Sequence, residues 1–151
     1  MNRDLLYHYA ATFTSVHDGD GTFSCTFDYG RNHFEHNCEV RLGDVDTPEL
    51  YGARNESEEL HALHREAGHI VQRFVEKMLL GKTLVIKPNK DPKGKYGRLL
   101  ATIYIEPTEA VFGINTLNEL LIKMGYAKPY HGGKKDPWTK EELNQIIKDK
   151  R

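Results

Sequence analysis

The chain has 151 residues, with 21 lysines and arginines against 22 aspartates and glutamates, a formal net charge of −1, and 38% hydrophobic residues. These values suit one globular domain spanning 1–151, whose core needs no disulfide staple, and no stretch approaches the roughly 20 apolar residues of a membrane-crossing helix. The charge is unevenly spread: residues 41–66 hold seven acids against three arginines, residues 82–98 six bases against Asp91, and the tail from Lys123 eight bases against four acids.

Met1 to His8 contains no apolar run long enough for a signal peptide, so an intracellular protein is expected, of chromosomal, plasmid or phage origin. Residues 7–17 mix Tyr, Thr, Phe and Val and read as a first strand, closed by the turn Asp18-Gly19-Asp20-Gly21. Residues 22–27 alternate, with Phe23, Cys25 and Phe27 on one face. Tyr29 to Asn32 turns the chain, and 34–45 returns as a third strand that Pro48 closes. Between about Glu56 and Leu80 the apolar residues recur every three or four positions, the pattern of an amphipathic helix, with Gly81 as its stop. Leu84-Val85-Ile86 and Leu99 to Ile105 predict two strands around a basic Pro/Gly loop. Asn115 to Met124 and Trp138 to Lys148 predict two further helices, the latter after the start signal Asp136-Pro137. Three strands, a helix, two strands and two helices describe an α+β, mainly β architecture. It matches a five-stranded Greek-key barrel of the oligonucleotide-binding type with three helices.

Three turn-rich segments carry the chemistry. Asp20 and Asp46 fall at strand ends, and Pro48 holds Thr47 extended so that its carbonyl is presented. Two carboxylates, a carbonyl and water would form an open oxygen site for calcium or another divalent cation. Alternatively, Asp18 and Asp20 only cap turns. Arg41, flanked by Val40 and Leu42, needs an anion or a carboxylate to meet it. Glu49, just past the proline, is placed to hold a water as general base. Arg98 follows Gly97, which is able to bend the chain and turn the guanidinium inward. Guanidinium forks match the two free oxygens of a phosphodiester, so the set reads as a metal-assisted phosphodiesterase site. Basic segments 82–98 and 123–151 either give a polyanion local positive potential or form solvated faces.

Asp18-Gly19-Asp20, Arg41 with Asp46-Thr47-Pro48-Glu49, and Lys95-Tyr96-Gly97-Arg98, in this order, resemble the thermonuclease (staphylococcal-nuclease-like) family. Gly113 to Leu120 and Met124 to Lys128 are similar to that family's second helix and the segment after it, so the resemblance covers roughly residues 9–145. It implies a five-stranded barrel with three helices, and a calcium-dependent nuclease of low sequence preference. Such an enzyme cuts DNA and RNA at the 5′-oxygen and leaves 3′-phosphate ends. By matching position, Asp20, Asp46 and Thr47 are the implied metal ligands, Glu49 the residue that holds the water, and Arg41 and Arg98 the phosphate grip. Lys95 and Tyr96 are implied to line the nucleotide pocket, and Tyr130 lies near a pocket aromatic. The implied partner is nucleic acid, acted on by a monomer, with a protein restraint or regulator conceivable. The rival expectation is a non-catalytic nucleic-acid or protein-binding module on the same barrel. Gly21 is an insertion relative to the family pattern, and the 28–38 hairpin is longer than the family's.

Cys25 and Cys38 are symmetric about the turn near Arg31-Asn32 and are expected as reduced thiols, with a zinc site shared with His33 and His36 as the alternative. His61, His64 and His69 are expected on the polar side of the long helix, and Trp138 as a residue that docks its helix.

Overall fold

Five strands close a barrel, neighbouring one another in the order Tyr9–Val16, Phe23–Asp28, Phe34–Leu42, Leu99–Ile103 and Thr83–Lys90. The computed structural model describes residues 6–17, 19, 22–51, 56–90, 99–106 and 113–149. β1 (Tyr9–Val16) and β2 (Phe23–Asp28) pair antiparallel, and strand alternation turns Ala11, Phe13, Phe23, Cys25 and Phe27 into the core. An extra residue in β1 between Phe13 and Ser15 shifts the register, which is why Val16 is buried despite its opposite parity. β3 (Phe34–Leu42) pairs antiparallel with β2 and, through Val40 to Leu42, parallel with β6 (Leu99–Ile103). β5 (Thr83–Lys90) pairs antiparallel with both β1 and β6 and completes the closure. Each wholly buried side chain such as Phe13, Phe23, Phe27 or Leu79 contributes about 1.5–3 kcal/mol.

α1 (Glu58–Leu79) starts where the Ser57 hydroxyl accepts from the Leu60 N–H. Its buried side carries Ala67, Gly68, Ile70, Val71, Val75, Met78 and Leu79. Gly81, at φ 75°, takes the chain out of the helix in a conformation that favours glycine. None of the described helices is long and apolar enough to cross a membrane. Five barrel strands and three helices are thus the architecture expected from the order of elements.

Three expected boundaries are corrected. The strand expected over 34–45 breaks after Leu42: Gly43 donates to the Ala101 carbonyl at 3.0 Å, and Asp44 adopts φ 62°. Beyond this turn β4 (Val45–Asp46) leaves the barrel and pairs with β7 (Lys128–Pro129) in a separate two-stranded ribbon. α2 (Leu117–Lys123) begins two residues later than expected because Thr116 is extended and caps it through the Glu119 N–H. α3 (Lys140–Lys148) begins after Trp138, because Thr139 and Glu142 form a reciprocal capping box.

Candidate active site

Asp46 is the second residue of β4, and its backbone is in register with Lys128 of β7. Its side chain is only 7% exposed, so a charge there needs partners. Both oxygens have one. The indole Nε1–H of Trp138 donates to Oδ2 at 3.2 Å, and the Lys135 ammonium lies 3.2 Å from Oδ1. The same ammonium is 3.7 Å from Oε1 of Glu49, whose side chain is 54% exposed. Asp46 and Glu49 therefore converge on one cation position, one carboxylate buried, the other reaching in from solvent.

Two glycines bring neighbouring backbone to this place. A Cβ on Gly68 of α1 would stand 3.1 Å from the Glu49 carbonyl carbon and oxygen and from the Pro48 carbonyl oxygen. The segment that aims Glu49 is thus seated directly on the helix. A Cβ on Gly19 would stand 2.8 Å from Val71 Cγ1 and 3.0 Å from Thr47 Oγ1, so the β1–β2 turn abuts buried Thr47 at Gly19. A side chain at Gly19 would force Val71 or Thr47 to shift, and one at Gly68 would crowd the Pro48 and Glu49 backbone.

The ribbon and the start of α3 are locked together. The Lys128 ammonium pairs with Glu142 at 2.8 Å, donates to the Pro137 carbonyl at 3.1 Å, and lies 5.0 Å over the Trp138 ring. Burial alone would raise the Glu142 carboxyl, but the Lys128 ammonium and the Thr139 donors outweigh it and hold the group below its usual value. From the other side, buried Asn118 accepts from the Ile103 N–H and donates to the Ala101 and Gly43 carbonyls. It ties α2 to the turn from which β4 departs.

Arg41 is half-buried in β3, with Leu100 as its partner across the parallel ladder to β6. It precedes Asp46 by the Gly43-Asp44 turn. Tyr130 follows β7; its N–H donates to the Asp44 carbonyl at 2.9 Å and its hydroxyl to the Gly133 carbonyl at 2.8 Å. Lys135 lies 5.4 Å over the Tyr130 ring, which sets this aromatic beside the two carboxylates. Of the residues expected from sequence, Asp46, Thr47, Glu49, Arg41 and Tyr130 are described. Asp20, Lys95, Tyr96 and Arg98 lie outside the described residues, as does Gly21.

The oxygen-only donors Asp46 and Glu49 suit a hard divalent cation, and an ammonium held by both marks the position as one of cation preference. Among the described residues no group of three or more His, Cys, Asp or Glu comes together as a metal site, and Asp20, the carboxylate expected to hold the metal beside Asp46, is not among them. This also leaves the zinc alternative at His33, His36 and the cysteines without support: Cys25 and Cys38 are free thiols, directly opposite in the β2–β3 register.

Sequence reasoning missed Lys135, which read as one more tail base, and the bond from Trp138 to Asp46. It also misplaced His64. Instead of facing solvent, His64 is buried, with Nε2 3.4 Å from Glu56 Oε2 and Nδ1 without a hydrogen-bond partner. Glu56, just before α1, lies against that side of the helix, a contact no helical periodicity reveals. His61 also faces Glu56, at 3.6 Å.

Residues 39–150 match a family model described as staphylococcal nuclease homologue. No curated protein matches the chain.

Proposed function

Since the chain belongs to the staphylococcal nuclease homologue family, we propose that it is a calcium-dependent nuclease that hydrolyses DNA and RNA with little sequence preference. The observation that carries this reading is the convergence of buried Asp46 and exposed Glu49 on one cation position, with Trp138 bonded to the Asp46 carboxylate. Asp46, Asp20 and the Thr47 carbonyl would hold the cation, which when bound would supply Lewis-acid stabilisation to the phosphate. Glu49, more than half exposed, orients a water and accepts its proton as the oxygen attacks phosphorus. The bond from phosphorus to the 5′-oxygen breaks, the leaving oxygen takes up a proton from solvent, and the phosphate stays on the 3′ side. Arg41 and Arg98 grip the non-bridging oxygens, more strongly as charge accumulates on them, so their effect falls on the rate. Lys95, Tyr96 and Tyr130 contact the nucleotide, the tyrosines as faces for stacking.

Cleavage of plasmid and single-stranded DNA with and without calcium, followed by end-group analysis, tests the reading. Arg41→Ala should lower the rate by about 10² or more. Substrates left intact in calcium, or an Arg41→Ala variant as fast as the parent, would refute it. Metal-independent binding without cleavage would instead mark a non-catalytic module on the same barrel.

A further inference from the structure

The Lys135 ammonium occupies the place between Asp46 and Glu49, at 3.2 Å and 3.7 Å. We propose that Lys135 is a tethered counter-cation that a divalent metal must displace, so that metal binding to this protein is an exchange rather than a simple addition. The inference rests on the divalent-cation reading of the site and deepens it.

Three observations support it. First, both Asp46 oxygens are already engaged: Oδ2 accepts from Trp138, and Oδ1 faces the ammonium. A metal that takes Oδ1 meets Lys135 there, and two cations cannot share one nearly buried carboxylate oxygen without strong repulsion. Second, the lysine has a way out. Its side chain is 37% exposed, and the backbone reaches it through Gly132 and Gly133, at φ 95° and 79°. An ammonium released from Asp46 gives up its place over the Tyr130 ring and is rehydrated in solvent, a movement that lysine's long flexible stem allows. Third, a charge is needed there in the metal-free protein. Asp46 is nearly buried and Glu49 converges on it, so without a cation the pair would repel and Asp46 would be poorly compensated. Lys135 satisfies that requirement before any metal arrives. The consequence is a raised threshold: the protein stays folded and unloaded at low divalent-cation concentration, and loads only when the metal outcompetes its own lysine.

The test reads binding, not cleavage. The chain has one tryptophan, and its indole N–H is bonded to Asp46, so calcium titration is followed by the fluorescence of Trp138 and by the thermal midpoint. Lys135→Met removes the charge and keeps the stem; Lys135→Arg keeps the charge. Half-saturation of Lys135→Met is expected at about three- to tenfold lower calcium than the parent, the effect of one partly exposed ion pair, with Lys135→Arg near the parent. Without metal, Lys135→Met should melt below the parent, and calcium should raise its midpoint by more than it raises the parent's. If Lys135→Met half-saturates at the parent's calcium concentration or higher, Lys135 is not a counter-cation, while the metal site itself stands. If neither protein responds to calcium in fluorescence or in melting, the divalent-cation reading fails and the exchange with it.

Discussion

Trp138→Phe isolates the contact on which the geometry of Asp46 depends. The substitution keeps an aromatic ring beneath the Lys128 ammonium but deletes the N–H that donates to Asp46 Oδ2 at 3.2 Å. A hydrogen bond to a charged group contributes about 1.5–3 kcal/mol. This one is longer than the 2.7–2.9 Å of strong charge-assisted bonds, which places it near about 1–2 kcal/mol. The smaller ring adds about 1 kcal/mol of lost packing, since Trp138 is buried. The sum, about 2–3 kcal/mol, corresponds to a fall in thermal midpoint of about 4–12 °C for a chain of this size. A double-mutant cycle of Trp138→Phe with Asp46→Asn, read by urea unfolding, separates the bond from the packing. The expected coupling is about 1–2 kcal/mol. The freed carboxylate should also lower divalent-cation affinity by about tenfold to a hundredfold, as loss of a supporting hydrogen bond to a ligand does. Coupling below about 0.5 kcal/mol, with unchanged metal affinity, would show that Trp138 merely fills space.

Asn118→Ala should destabilise by about 2–4 kcal/mol, because it strands the buried Ile103 N–H and removes two further bonds; a loss under about 1 kcal/mol in urea unfolding would contradict this. Gly68→Ala should leave the fold intact, since alanine favours helix by up to about 1 kcal/mol. Its Cβ, however, meets the Pro48 and Glu49 backbone at 3.1 Å. A shifted Glu49 should cost about tenfold or more in cleavage rate at saturating calcium. A Gly68→Ala variant as active as the parent would mean that Glu49 needs no such seating. Alkaline pH provides a fourth check. Burial first, then the neighbouring Cys38 and Glu35, pushes the Cys25 thiol up to about 12, and burial with Glu35 pushes Cys38 up to about 11. The folded state therefore keeps protons that the unfolded chain releases from about 9 upward. Stability is complete below that pH and falls as pH rises toward 11–12. Urea midpoints should drop more steeply over this range in the parent than in a Cys25→Ser, Cys38→Ser double variant. Parallel curves would refute the shift.

Strand alternation, helical periodicity and turn chemistry act within about ten residues, and they sufficed for the barrel strands, for α1 and for its stop at Gly81. The same local signals marked Asp46, Thr47 and Glu49, because Pro48 punctuates the chain there. They failed where a distant partner decides. The strand expected through residue 45 breaks at Gly43-Asp44, since Asn118 and Ala101 hold that turn and β7 offers a second ribbon to Val45 and Asp46. His64 looked solvent-facing from its place on the helix, yet it is buried beside Glu56, a residue of the loop before α1.

Trp138 and Lys135 make the same point at the site. The indole meets a carboxylate 92 residues earlier in the chain, and nothing near Trp138 in sequence announces that contact. Local signals alone were thus enough for the barrel and its helices, and they marked the carboxylates and arginines on which the proposed chemistry rests. Only the tertiary structure decided how Asp46 is gripped and which cation stands between it and Glu49. The physical reason is range: periodicity reports the environment of a face, whereas a buried charge is matched by whichever donor the folded chain carries to it.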